Sequence, residues 1–179
     1  MTTQSELPTL ASLDYIAYLD ENGSVGEDTQ KKIGVYAIFN RDRQLQFVGY
    51  SRDIYLSLKQ HLVRKPETCY WLKIETIDRP TRSILESIKQ AWIKENGLTP
   101  SGNGEEEKIW TQPIDAKLAM KEEEKAQYQK SDELGRIKIL KKIARRVEET
   151  IKEQLNLRGV NMDMRFNPKI KEQGLLDLK

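Results

Sequence analysis

The sequence predicts an α+β fold: a small three-stranded antiparallel sheet flanked by helices, followed by a long charged helical extension. Three observations carry this. Runs rich in β-branched and aromatic residues at 33–39, 45–50 and 69–77 read as strands. Two segments between and after them have apolar residues at helical spacing. Beyond residue 112 the composition turns to dense Glu, Lys and Arg. With 179 residues, the chain has room for one ordinary domain and an appendage, not for two catalytic domains.

In chain order, residues 1–30 form an acidic N-terminal segment with six acids and no base. Its one apolar patch (Leu10, Leu13, Tyr15, Ile16, Tyr18, Leu19) reads as a short helix or turn that docks on the neighbouring domain. That domain spans 31–103. Its first two strands flank the turn Asn40-Arg41-Asp42-Arg43, which makes them an antiparallel hairpin. Ser51-Arg52-Asp53 then opens a helix, because Ser or Asp can accept hydrogen bonds from the free N–H groups of the first turn. Ile54, Leu58, His61 and Leu62 give that helix its apolar face, and it should stop before Pro66. After the third strand, a second helix starts beyond Pro80, with Ile84, Leu85, Ile88, Ala91, Trp92 and Ile93 as one broad apolar face and a stop at Asn96-Gly97.

Residues 104–112 read as a linker loop. The helical extension covers 113–158, where a Pro-free stretch holds a single glycine, Gly135; one helix broken near 131–135, or two helices, fits it. Leu134, Ile137, Leu140, Ala144, Val147, Ile151 and Leu155 step by three or four residues and form a narrow seam that wants a partner surface. The tail, 159–179, reads as an extended arm.

Charge and composition exclude several classes. Thirty bases against 28 acids leave +2 overall, so a uniformly basic wrapper of nucleic acid is not expected. The charge is uneven: 31–103 carry thirteen bases and seven acids. One cysteine, Cys69, cannot form an intrachain disulfide, and one histidine cannot build a zinc site with it alone, which points to a reducing, cytoplasmic setting. The first ten residues lack the features of a signal peptide, and no window approaches the ~20 apolar residues of a transmembrane segment.

Gly34-Val35-Tyr36 and, a short distance on, Phe47-Val48-Gly49 resemble the paired tripeptides of the GIY-YIG nuclease family. The helix start Tyr50-Ser51-Arg52-Asp53-Ile54 is similar to the one that comes after the second tripeptide there. Leu85-Glu86 falls where the family keeps a metal-binding glutamate, and Asn103 matches its asparagine beyond that helix. The resemblance covers about residues 32–103.

Cleaving a phosphodiester needs a base for water, donors for the charge on phosphate, and a metal for the leaving oxygen. The resemblance implies Tyr36 beside the attacking water, Glu86 on Mg²⁺ or Mn²⁺, and an arginine one turn into the first helix. Here Ser57 stands at the arginine position and Phe47 replaces the second tyrosine, deleting a hydroxyl. His61, four residues after Ser57 on the same helix face, and Arg52, at the helix start, are the groups that would compensate. Each has a plainer role open to it: Tyr36 as a half-buried aromatic, His61 as a helix residue with a satisfied hydrogen bond, Glu86 as an ion-pair partner of Arg82. The three tryptophans read as core or edge packing.

Two functions are expected. One is a GIY-YIG-type protein that engages DNA or RNA with weak or lost metal-dependent cleavage. The other is a non-catalytic module that binds a protein partner through the C-terminal helices. The stretch 136–146, with six bases in eleven residues and no acid, fits a solvated helix face, nucleic acid, an anionic membrane surface or an acidic protein.

Overall fold

A computed structural model describes residues 7–179. The described residues form two compact units, the first ending at Trp110 and the second spanning Thr111–Lys179. Among the described residues no helix is long and apolar enough to cross a membrane.

The first unit is α+β. Strands β1 (Ile16–Ala17), β2 (Gly34–Phe39), β3 (Leu45–Ser51) and β4 (Trp71–Thr76) form an antiparallel sheet in the order β1-β4-β2-β3. The sheet thus has four strands where three were expected. The extra one, β1, pairs Ile16 with Leu72 and Ala17 with Trp71. It comes from the segment expected as a helix or turn, and at two exposed residues it is too short to leave an alternating pattern. The helical expectation survives there only as a single 3₁₀ turn at Leu10–Ser12.

Strand β2 lies in the interior of the sheet and is buried along all six residues, because helices cover both of its faces. On one face Val35, Ala37 and Phe39 pack with Val48 of β3 and with Leu85, Ile88 and Trp92 of α2 (Arg82–Asn96). Period-two alternation sends Tyr36 and Ile38 to the other face, toward α1 (Ile54–Arg64). Asp53 accepts from the Leu56 N–H and starts α1, and Thr81 does the same for α2 through Ile84.

The stretch expected as a linker holds a short helix, α3 (Glu107–Thr111), whose Trp110 is fully buried. Trp92 is fully buried too, and Trp71 is part-buried at the β4 start, so all three indoles pack as expected.

In the second unit, the charged extension is two helices, α4 (Glu122–Lys130) and α5 (Glu133–Leu157). The break falls at Ser131-Asp132, where the Asp132 carboxylate accepts from the Gly135 N–H and starts α5 afresh. Leu140, Ala144, Ile151 and Leu155 of the expected seam are buried, while Leu134 is exposed. The cover comes from the tail, which is not an extended arm. It folds back through a 3₁₀ turn (Ile170–Gln173) and strand β6 (Leu175–Leu176), which pairs with β5 (Ile114–Asp115). Leu176 is fully buried, and Phe166 is buried where it bridges to Leu178. The tail's polar composition hides these few anchors.

Half of the basic stretch is held inside this unit. Arg146 makes two hydrogen bonds of 2.9 Å to the Glu124 carboxylate and a third to the Ala119 carbonyl. Lys141 pairs with Glu172, and Arg136 lies over the Tyr128 ring. Lys138, Lys142 and Arg145 remain as an exposed stripe.

Candidate functional site

The two motif tripeptides face each other, with Tyr36 of β2 opposite Gly49 of β3. Both motif glycines answer to close approach. A Cβ on Gly34 would sit 2.1 Å from the Glu75 carbonyl oxygen of β4, and one on Gly49 would lie 2.6 Å from the Phe47 ring and 3.0 Å from the Tyr36 hydroxyl. The bare Gly49 backbone therefore makes room for the Tyr36 oxygen.

That oxygen points into protein. It lies 2.8 Å from His61 Nε2, and Tyr36 and His61 are only 3% and 4% exposed. Phe47 and Trp110 complete a box of rings: Phe47 stacks on the indole at 5.2 Å with the planes parallel within 1°, and both rings pack against the imidazole. The missing hydroxyl of the second motif thus coincides with a stacking contact.

Burial sets the electrostatics of the pair. It pushes the His61 pKa down to about 3, the Arg64 charge pushes the same way, and the Trp110 carbonyl opposes more weakly. Burial raises the Tyr36 pKa, against smaller opposing effects from the Ser57 hydroxyl and Arg64. A neutral imidazole and a neutral phenol therefore meet at this contact, and the imidazole tautomer sets which of the two donates. Both shifts resist moving the phenol proton to the imidazole, so this is a poor base for water.

From Tyr36 a chain of hydroxyls runs outward. Ser57 hydrogen-bonds Tyr36 and lies 2.7 Å from Ser51 Oγ, which in turn donates to the Asp53 carbonyl. Ser51 lines a cavity of about 370 Å³ with Tyr50, Arg52, Thr81 and Arg82 among its walls. Arg52 is exposed there.

Glu86 belongs to the other face of the sheet. It sits on α2, where its carboxylate accepts from Gln90 Nε2 at 2.9 Å and from the Tyr50 hydroxyl. The Gln90 and Tyr50 hydrogen bonds, with Lys89 and Arg82 nearby, lower its pKa. The structure therefore brings Tyr36, Ser57 and His61 together, places Arg52 at a cavity beside Ser51, and leaves Glu86 across the sheet from Tyr36. A dication on Glu86 would meet one carboxylate that already accepts two hydrogen bonds and has two cations beside it. Among the described residues no three His, Cys, Asp or Glu side chains converge to hold a metal. These residues do not fit a built Mg²⁺ or Mn²⁺ centre.

Sequence reasoning missed Tyr50 as the partner of Glu86, Ser51 as a link in the hydroxyl chain, and Trp110 as a wall of the ring box. No local pattern marks them: Tyr50 and Trp110 act through contacts distant in sequence, and Ser51 joins the chain through Ser57 on the next element. Asn103 was noted only by resemblance. Its side-chain carbonyl accepts from the Val48 N–H and its amide donates to the Val48 carbonyl, both at 2.8 Å.

No family model matches the chain. In an alignment 74 residues long that covers 39% of this chain and 25% of the other protein, it is 38% identical to the bifunctional monothiol glutaredoxin-S16, chloroplastic, of Arabidopsis thaliana. The chain thus spans about a quarter of the length of the curated relative it matches.

Proposed function

We propose that the first unit is a GIY-YIG-like domain that engages nucleic acid and in which phosphodiester cleavage is feeble or lost. The observation that carries this reading is the Tyr36 hydroxyl, held by a neutral buried His61 and separated by the sheet from the Glu86 carboxylate. A phenol that cannot reach solvent or surrender its proton does not activate water. The loss of one preorganised donor typically costs ~10²–10³ in rate, and here the arginine and the second tyrosine are both replaced.

Binding has separate support. Arg52 and Arg82, with the hydroxyl residues Ser51, Thr81 and Tyr50, line one cavity, and this is the chemistry that takes phosphate oxygens. We prefer this reading to the protein-interaction module because the α5 seam is filled within its own unit. A monothiol role of the kind the relative's name carries is disfavoured as well: Cys69 is fully buried and donates to the His61 carbonyl, where the sulfur is out of reach.

The test combines nicking of supercoiled and branched DNA, with Mg²⁺ or Mn²⁺, and DNA and RNA binding at several salt concentrations. The expected result is affinity that falls steeply with salt and loses about one unit of log–log slope in Arg52→Gln. Cleavage should be absent, or too weak for Tyr36→Phe to lower it. Cleavage abolished by both Glu86→Ala and Tyr36→Phe would restore a working enzyme and overturn the lost-activity half. Affinity indifferent to salt would overturn the nucleic-acid half.

A further inference from the structure

The far end of the sheet from Gly34 and Ser51 carries a different set of groups. There a cavity of about 670 Å³, within the size range of small-ligand sites, has Tyr15, Phe39, Arg43, Gln44, Lys73 and Glu95 among its walls. We propose that it binds the phosphate of a nucleotide.

Lys73 carries the argument. It pairs with Ala37 in the sheet register, so its side chain leaves on the face where Val35, Ala37 and Phe39 build the core, a position that period-two patterning reserves for an apolar residue. The lysine is 6% exposed, and its ammonium lies 4.3 Å from the Tyr15 ring centre. It donates to one acceptor, the Leu10 carbonyl, at 3.0 Å. An ammonium has three N–H donors, and a charge taken out of water is stable only when paired and hydrogen-bonded.

The nearby carboxylate does not supply that pairing, because Glu95 directs one oxygen to the Leu10 N–H and the other to the Ala11 N–H, each at 2.8 Å. Among the described residues Lys73 forms no ion pair within 4 Å. A second cation stands at the rim: Arg43, at a left-handed φ of 60°, holds its guanidinium 4.6 Å from the Tyr15 ring and 4.5 Å from the Trp71 ring. Two cations therefore face one carboxylate already fixed by backbone donors.

Phosphate oxygens between Lys73 and Arg43 would fill the spare donors. The volume exceeds that of a bare phosphate, and the aromatic walls with the exposed guanidinium plane suit a nucleobase. The source is a free nucleotide or a phosphorylated strand end. This site does not depend on the nuclease resemblance.

The experiment is calorimetric titration of the full chain with AMP, adenosine, inorganic phosphate and a short single-stranded oligonucleotide with and without a 5′-phosphate. AMP should bind at least tenfold more tightly than adenosine. Lys73→Met and Arg43→Gln should each weaken AMP at least tenfold, while Lys138→Met leaves it unchanged. Should Lys73→Met fail to fold, Arg43→Gln at the exposed rim decides alone. A 5′-phosphorylated strand that outcompetes AMP identifies a strand end as the source, and the reverse order identifies a free nucleotide. Undetectable AMP binding, equal AMP and adenosine affinities, equal binding of the phosphorylated and unphosphorylated strands with no response to AMP, or a folded Lys73→Met protein that binds like the parent would each overturn the proposal.

Discussion

The Tyr36 hydroxyl oxygen and His61 Nε2 lie 2.8 Å apart in a buried hydrogen bond, and the imidazole of the pair is held neutral. This pair decides how the domain responds to acid. The folded pKa of about 3 lies below the ordinary value of 6.5, so the unfolded chain binds a proton that the folded chain refuses. Between those values stability falls as pH falls, by up to about 1.4 kcal/mol per pH unit. Below about pH 4.5 the ionised Glu86, Glu124 and Glu148, whose pKa values are all lowered, add losses of the same sign. The window from pH 6.5 to 4.5 therefore isolates His61. Urea unfolding across it should show a slope that His61→Gln removes; parallel curves for parent and variant would be inconsistent with a buried neutral histidine.

Gly34→Ala forces a methyl group to 2.1 Å from the Glu75 carbonyl oxygen, inside the β2–β4 pair. Neither backbone can give way without breaking the ladder, so the expected cost is about 1–3 kcal/mol or more. Gly49→Ala meets side chains instead, and a smaller loss is expected there, with displaced Tyr36 and Phe47 ring signals. Thermal unfolding with aromatic NMR distinguishes the two.

Glu124 anchors α4 to α5 in the second unit: it accepts twice from Arg146 and also accepts from the Lys121 N–H at the start of α4. Glu124→Ala leaves a part-buried guanidinium with its carboxylate partner gone. A loss of about 1.5–3 kcal/mol is expected, read as early melting of the 111–179 unit, while amides of the sheet keep their exchange protection.

Asn103 replaces a neighbouring strand for one residue of β3 by binding both backbone groups of Val48. Asn103→Ala should cost about 1–3 kcal/mol and speed hydrogen exchange at the Val48 amide specifically. Unchanged exchange there would refute the assignment.

The part of the fold legible in the chain was the part governed by local rules. The hairpin, the first helix with its Asp53 start, the second helix beyond Pro80, β4 and the packed tryptophans come from period, caps and turns. Strand β1 escaped because two residues cannot display a period. The α4–α5 break was visible only as a choice between two outcomes, and Asp132 resolves it. The tail's docking depends on Leu176 and Phe166, anchors without periodicity. At the candidate site the tripeptides were readable, but which face each side chain takes depends on register. Tyr36 at an odd step from Val35 turns to α1, and Glu86 on α2 ends beyond the sheet. Lys73 stood in plain view as a charge in an apolar run, yet only its pairing with Ala37 gives that charge an inward direction.

The clasp of Asn103 on Val48 also bears on how the molecule behaves among its neighbours. β3 is an outer strand, and an outer strand with open amides and carbonyls invites another chain to add on and grow a filament. Here an amide side chain occupies the docking groups midway along β3, and the opposite border of the sheet is a strand of two residues. Strand addition would first have to pry that clasp away, so one amide side chain from a 3₁₀ turn shields the outer strand from a second chain.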